Sequence, residues 1–334
     1  VYVVTSFYSI LVISVSVLLP LAVSDLLKAN VSIKRFEKFL KLEEVELIKK
    51  TQEAVGIKVK KVTAKWVQSY EHNTLSDVDF EIYRNQTVAI VGPTGSGKSS
   101  LLHLCLGEIP IIKGSIEIGG TIAYANQEPW LFGGTVKQNI LFGLPMLPKK
   151  YKEVVRVCAL EDDMAQFPHG DNTIVGERGI LLSGGQKARI GLARAVYKDA
   201  DIYLLDDPLS AVDANVGKQI FNNCITGYLK GKCTILVTHQ TQYLASVDKI
   251  YLLTDGKISV SGSYTDLLKE NNFTYALKEN KTHQDEASEM NGTNLSKLEH
   301  KEQYVTSETR AVGKVSVKIY QSYMRACGSY WMCL

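Results

Sequence analysis

The first 24 residues carry no charge; the earliest is Asp25. A run of about 20 apolar residues can cross a bilayer as a helix. This one has no basic leader and no small-residue cleavage site, so it predicts a membrane helix and not a signal peptide. From Leu21 to about Lys50 apolar residues recur at helical spacing, with Leu27, Val31, Phe36, Phe39 and Leu40 set among lysines and glutamates. Pro20 is predicted to kink or end the first helix. Lys28, Lys34, Arg35, Lys38 and Lys41 place the downstream side in the cytoplasm.

Beyond residue 57 the period changes. Short β-prone runs around Val59, Val62 and Val67 lead into Gln86–Val91, an apolar run of buried-strand type. Then come a helix at 98–107, strands near 115–125, and helices near 150–165 and 184–198. Strand 201–206, helix 211–230, strand 233–238 and a hairpin turning at Asp255-Gly256 complete the order. Short apolar strands alternating with helices predict an α/β domain on a parallel sheet. After Lys278 the apolar period stops. Residues 279–314 read as a disordered linker, and residues 315–334, apolar and aromatic again, as the approach to a second membrane region. The sequence opens without Met inside an apolar run, so it reads as part of something longer.

Composition changes this picture little. With 45% hydrophobic and 22% charged residues among 334, the chain is not disordered throughout. A net charge of +3 is too small for bulk attraction to nucleic acid, and none is expected as a partner. The six cysteines form no CxxC pair, which argues against a zinc site or a disulfide framework.

The chemistry is concentrated in a few segments. Gly92, Pro93, Thr94, Gly95, Ser96, Gly97, Lys98 and Ser99 match GxxxxGK[ST] in full, after a strand and before a helix. Glycines let backbone N–H groups approach phosphate oxygens, and the helix N-terminus at Lys98–Ser100 favours an anion. Lys98 would reach the β- and γ-phosphates of a nucleotide, and the Ser99 hydroxyl would ligate Mg²⁺. Asp206 closes the apolar strand Ile202–Leu205, where it can bind Mg²⁺ through water. Between them, Leu182-Ser183-Gly184-Gly185-Gln186 opens a cationic helix and makes a second anion-binding end. A second such end suggests a nucleotide sandwiched between two copies of the domain.

LSGGQ between a phosphate loop and LLDDP resembles the ATP-binding-cassette proteins. The wording around it resembles the first nucleotide-binding domain of the C subfamily, the multidrug-resistance-associated exporters. The resemblance implies a P-loop NTPase fold: a parallel-sheet core with an antiparallel β subdomain and a helical subdomain. It implies that residues 1–50 end a first transmembrane domain, 51–278 form the cassette, and 315–334 begin a second transmembrane domain. Gln127 resembles the Q-loop glutamine at Mg²⁺ and water, Ser210–Asp213 the D-loop, and His239 the switch histidine at the γ-phosphate. Trp66 sits where the family stacks an aromatic ring on adenine. The residue after Asp206 is normally the glutamate that polarises the attacking water; here it is Asp207, one methylene shorter, so hydrolysis at this chain's own site is expected to be poor. The implied protein is an integral plasma-membrane ATPase that exports organic anions with a second nucleotide-binding domain as partner. The same motifs would also suit an ATP-gated channel or channel regulator of the subfamily.

Overall fold

In the computed structural model the uncharged N-terminal run is one helix, α1 (Tyr2–Leu40), long and apolar enough to cross a membrane. The serine hydroxyls along it turn back onto the helix: Ser6, Ser9 and Ser14 each donate to the carbonyl four residues earlier. Pro20 does not end the helix. A π-helical stretch, Ser14–Leu18, lies just ahead of it, where the proline ring would otherwise meet the carbonyl of the preceding turn. The structure describes residues 2–41, 49–50, 56–67, 72–176 and 182–269. The chain divides into two units, Val1–Lys281 and Thr282–Leu334, and these residues all belong to the first. The expected linker 279–314 and the segment 315–334 lie outside them.

The helical pattern expected to reach Lys50 stops earlier. Lys49–Lys50 form a strand, β1, paired in parallel with Glu117–Ile118. Backbone pairing thus draws this dipeptide into the sheet formed with the residues that follow. β2 (Gly56–Ala64) and β3 (Leu75–Tyr83) pair antiparallel, and β2 pairs antiparallel with β5 (Ile111–Gly119). β2 ends at Ala64, so Val67, expected in a strand, is exposed beyond it. This four-stranded sheet has the order β1-β5-β2-β3.

The second sheet contains β4 (Gln86–Val91), β6 (Ile122–Ala125), β9 (Ile202–Asp206), β10 (Cys233–Val237), β11 (Lys249–Thr254) and β12 (Lys257–Gly262) in the order β12-β11-β4-β10-β9-β6. All its pairs are parallel except the β11–β12 hairpin that turns at Asp255-Gly256. The β9 run Ile-Tyr-Leu-Leu is apolar throughout because both faces are covered. Ile202 and Leu204 enter one core, with Val88, Ile90 and the Leu101, Leu102 and Leu104 side chains of helix α2 (Lys98–Leu106). Tyr203 and Leu205 enter the other, beneath the helices. Those helices are α3 (Val136–Leu141), α4 (Pro148–Val157), α5 (Glu161–Gln166), α6 (Gly184–Tyr197) and α7 (Ala214–Ile220), which runs on as a π-helical stretch to Tyr228. A short pair, β7 (Gly134–Thr135) with β8 (Ile174–Val175), and a last turn, α8 (Tyr264–Leu267), complete the described residues.

Candidate functional site

Parallel pairing sets four carboxyl ends side by side: Val237 of β10 lies between Ile90 of β4 and Asp206 of β9, and Leu205 of β9 is opposite Ala125 of β6. Ligands collect at such a crest. The loops leaving it bring Thr94, Gly95, Gly97, Lys98, Ser99, Ser100, Gln127, Asp206, Asp207 and His239 around one cleft of about 230 Å³. Of the remaining expected members of the phosphate loop, Gly92 and Pro93 supply the carbonyls that hold Lys98, and the Ser96 carbonyl accepts from the Gly256 N–H.

Two glycines show why the loop has its sequence. A Cβ at Gly92 would lie 2.1 Å from the Leu253 carbonyl oxygen, a backbone atom of the adjacent strand that cannot step aside. Gly95 has φ +82 and nothing within 4 Å of where a Cβ would be, so a side chain there would project into the open cradle. Gly97 caps α2 without any side-chain bond to its first amides, which leaves those N–H groups for an anion. Lys98, only 7% exposed, donates from Nζ to the carbonyls of Gly92 (3.0 Å) and Pro93 (2.7 Å). Burial lowers its pKa, while Asp207 and Asp206 act in the opposite direction. The Ser96 hydroxyl is buried without a hydrogen-bond partner.

Both carboxylates at the end of β9 are buried. Desolvation raises the Asp206 pKa against the pull of Ser99, His103, Lys98 and Tyr124. Asp207 is the more unusual residue. Its φ of 45 is left-handed, and its N–H donates to the Val237 carbonyl at 3.0 Å. Its own carbonyl accepts from the Ser210 hydroxyl at 2.8 Å, which ties the Ser210–Asp213 segment to the site. One carboxylate oxygen, Oδ1, is buried and unpaired. Burial, then the charge of Asp206, pushes the Asp207 carboxyl up to about 6, although the His239 backbone N–H and Lys98 oppose this.

A carboxyl raised in the folded state binds its proton more tightly there than in the unfolded chain. Its contribution to stability is therefore full below the ordinary value of 3.8 and is lost as pH rises through about 6. Two pH units correspond to about 3 kcal/mol. Asp207→Asn is expected to stabilise the ligand-free chain by about 1–3 kcal/mol at pH 7.5, with the difference vanishing near pH 4. Denaturant midpoints across that range measure it.

Trp66 is 42% exposed; its Nε1 donates to Ser100 Oγ at 3.2 Å, so it stands beside the first turn of α2. Ser183, Gly184, Gly185 and Gln186 are built as an N-terminus but do not line the cleft. Ser183 Oγ accepts from the Gln186 N–H at 3.2 Å, and Gln186 Oε1 accepts from the Ser183 N–H at 3.0 Å. A Cβ at Gly185 would fall 2.9 Å from the Ala211 carbonyl oxygen, so Ser210–Asp213 packs directly on this turn.

Two residues of this region went unread in the sequence. The Tyr124 hydroxyl lies 3.5 Å from Asp206 Oδ2, an encounter created by the β6–β9 pairing. Asp163, on α5, accepts from Gln186 Nε2 at 3.1 Å and takes both ends of the Arg189 guanidinium. Neither has a local signal; each partner is more than twenty residues away.

The cleft fits a nucleoside triphosphate: free amides, an ammonium group, and an opening that only glycine leaves unfilled. Ser99, Gln127 and Asp206 fit Mg²⁺ as a partial ligand set. Among the described residues no group of three or more His, Cys, Asp or Glu side chains could hold a metal alone, so phosphate oxygens and water would supply the other ligands.

Residues 75–210 match the model of the ABC transporter family, a span running from β3 through the phosphate loop and the LSGGQ turn to the carboxylate pair. The chain belongs to the ATP-binding-cassette family. It is similar to the probable multidrug resistance-associated protein lethal(2)03659 of Drosophila melanogaster, at 40% identity over 98% of this chain and 27% of that protein. It is also similar to ATP-binding cassette sub-family C member 4 of Homo sapiens, at 39% identity over 99% of this chain and 27% of the relative. With human sub-family C member 2 the identity is 45% over 78% of the chain and 17% of the relative. The chain thus spans about a quarter of the length of the first two. The P-loop fold expected from the sequence, with its parallel core and antiparallel sheet, is the one observed.

Proposed function

We propose that this cassette is the first ATP-binding half of a membrane exporter of amphipathic organic anions, and that its own site binds ATP but hydrolyses it slowly. The observation that carries the reading is the separation of the phosphate cleft from the Ser183–Gln186 turn, each at the N-terminus of a helix; in this reading each is half of a nucleotide site. A second cassette would complete both. The similarity to multidrug resistance-associated and sub-family C proteins supports the export role, and helix α1, uncharged as far as Ser24, supports a place in the membrane; in this reading the cassette lies in the cytoplasm and the membrane is the plasma membrane.

In this reading Trp66 stacks on adenine, and Lys98 with the amides of residues 94–100 binds the phosphates. Ser99, Gln127 and Asp206 hold Mg²⁺, and His239 contacts the terminal phosphate. Mg²⁺, when bound, supplies positive charge to the phosphates. Asp207 takes the position of the general base. Its carboxyl is one methylene short of glutamate, so it would sit too far from an in-line water to take its proton well. Closure of two cassettes would then move the membrane helices through α1.

Asp207→Glu tests this. General-base catalysis contributes about 10²–10⁴-fold, so in membranes where the chain is assembled with a second cassette the variant should raise ATP turnover at least about tenfold. An unchanged rate would mean that the missing methylene does not limit hydrolysis.

A further inference from the structure

Trp66, bonded to Ser100 of the cleft, and the Asp206 carboxylate within it are joined by side chains to which the reading above gives no role. His103 lies three residues beyond Ser100 on α2, so the two share one face of that helix. The Trp66 indole is tied to Ser100 by its N–H and meets the His103 ring edge to face, with centroids 5.3 Å apart and planes at 63°. On its far side His103 meets Tyr124 in the same manner, at 5.6 Å and 67°. The Tyr124 hydroxyl then reaches Asp206 Oδ2. His103 is itself held: its Nδ1 pairs with Glu108 Oε2 at 2.5 Å, just past the glycine cap of α2.

We propose that His103 is a positioning residue that sets the plane of the Trp66 indole for the base of the nucleotide and couples that platform through Tyr124 to Asp206. The inference rests on the ATP reading of the cleft. Trp66 stands beyond the end of β2 and is not packed in either core, so among the described residues its plane is set by Ser100 and His103. A ring already held in one orientation loses less freedom when a base stacks on it, and that saving appears as affinity. Edge-to-face contact with two aromatic neighbours suits an imidazole to this role, because aromatic pairs favour that geometry. Leucine at 103 would fill similar space but offer neither the ring nor the bond to Glu108.

The experiment compares ATP with inorganic triphosphate, which shares the phosphate cradle but carries no base, on the full chain in detergent. The indole is followed by the ¹⁹F resonance of 5-fluorotryptophan at position 66, identified by its disappearance in Trp66→Phe. His103→Leu is expected to weaken ATP about tenfold, to change triphosphate affinity less than twofold, and to move the Trp66 resonance. Glu108→Gln, which loosens the imidazole without removing it, should weaken ATP about threefold in the same selective way. Should the leucine variant fail to fold, His103→Gln carries the test with the same expectation. Equal weakening of both ligands would overturn the proposal, since it would report damage to the whole cleft; so would unchanged ATP affinity or an unmoved resonance. Failure of the unmodified chain to bind triphosphate would instead overturn the phosphate-loop reading, and this inference with it.

Discussion

Lys98→Ala abolishes Mg·ATP binding by the full chain. In the ligand-free cleft the ammonium group is parked on two carbonyls of its own loop, those of Gly92 and Pro93. These neutral partners can release it to phosphate oxygens at little cost. Hydrogen bonds to charged groups contribute about 1.5–3 kcal/mol each, so losing two corresponds to a fall in affinity of at least about 100-fold. The fold should survive, because the vacated carbonyls face a cleft that water can enter. Calorimetric titration of Mg·ATP, with a denaturant curve as control for folding, measures both. Full-strength binding by a folded variant would refute the assignment of the loop.

Asp163→Ala should destabilise the cassette by about 3–5 kcal/mol, because it leaves the Arg189 guanidinium buried without its counter-charge. The pair is bidentate, and both side chains are about nine-tenths buried. The same carboxylate also holds Gln186, the last residue of the Ser183–Gln186 turn, so its loss frees a segment that the proposed function assigns to nucleotide. The cost is one of breaking the pair, not of lacking it. Asp163→Leu combined with Arg189→Met removes both charges together, and its denaturant midpoint should lie well above that of Asp163→Ala. If the double variant is the less stable, the pair is not what holds α5 to α6.

Much of the site could be read from the chain alone because its residues act through local geometry. GPTGSGKS requires glycine at set positions for reasons confined to one turn and the helix after it. Ser183 and Gln186 cap each other across three residues. The strands Gln86–Val91 and Ile202–Asp206 stand out as apolar runs because both of their faces are buried. Where local patterning misled, a contact distant in sequence had taken over. Lys49–Lys50 would suit an amphipathic helix by period, yet pairing with Glu117–Ile118 draws them into a sheet. Pro20 is tolerated within a helix because the turn ahead of it widens.

The sequence by itself determined the phosphate loop, the apolar strands Gln86–Val91 and Ile202–Asp206, the short acid at 207 and the apolar length of the first helix, since each follows from side-chain chemistry or period within a few residues. Only the tertiary structure decided what surrounds those residues. It buries Asp207 in a left-handed turn beside Asp206, sets Tyr124 and His103 between Trp66 and the Asp206 carboxylate, and keeps the LSGGQ turn off the cleft. These depend on sheet order and on packing between elements far apart in the chain. No pattern of apolar and polar positions encodes distance across a sheet.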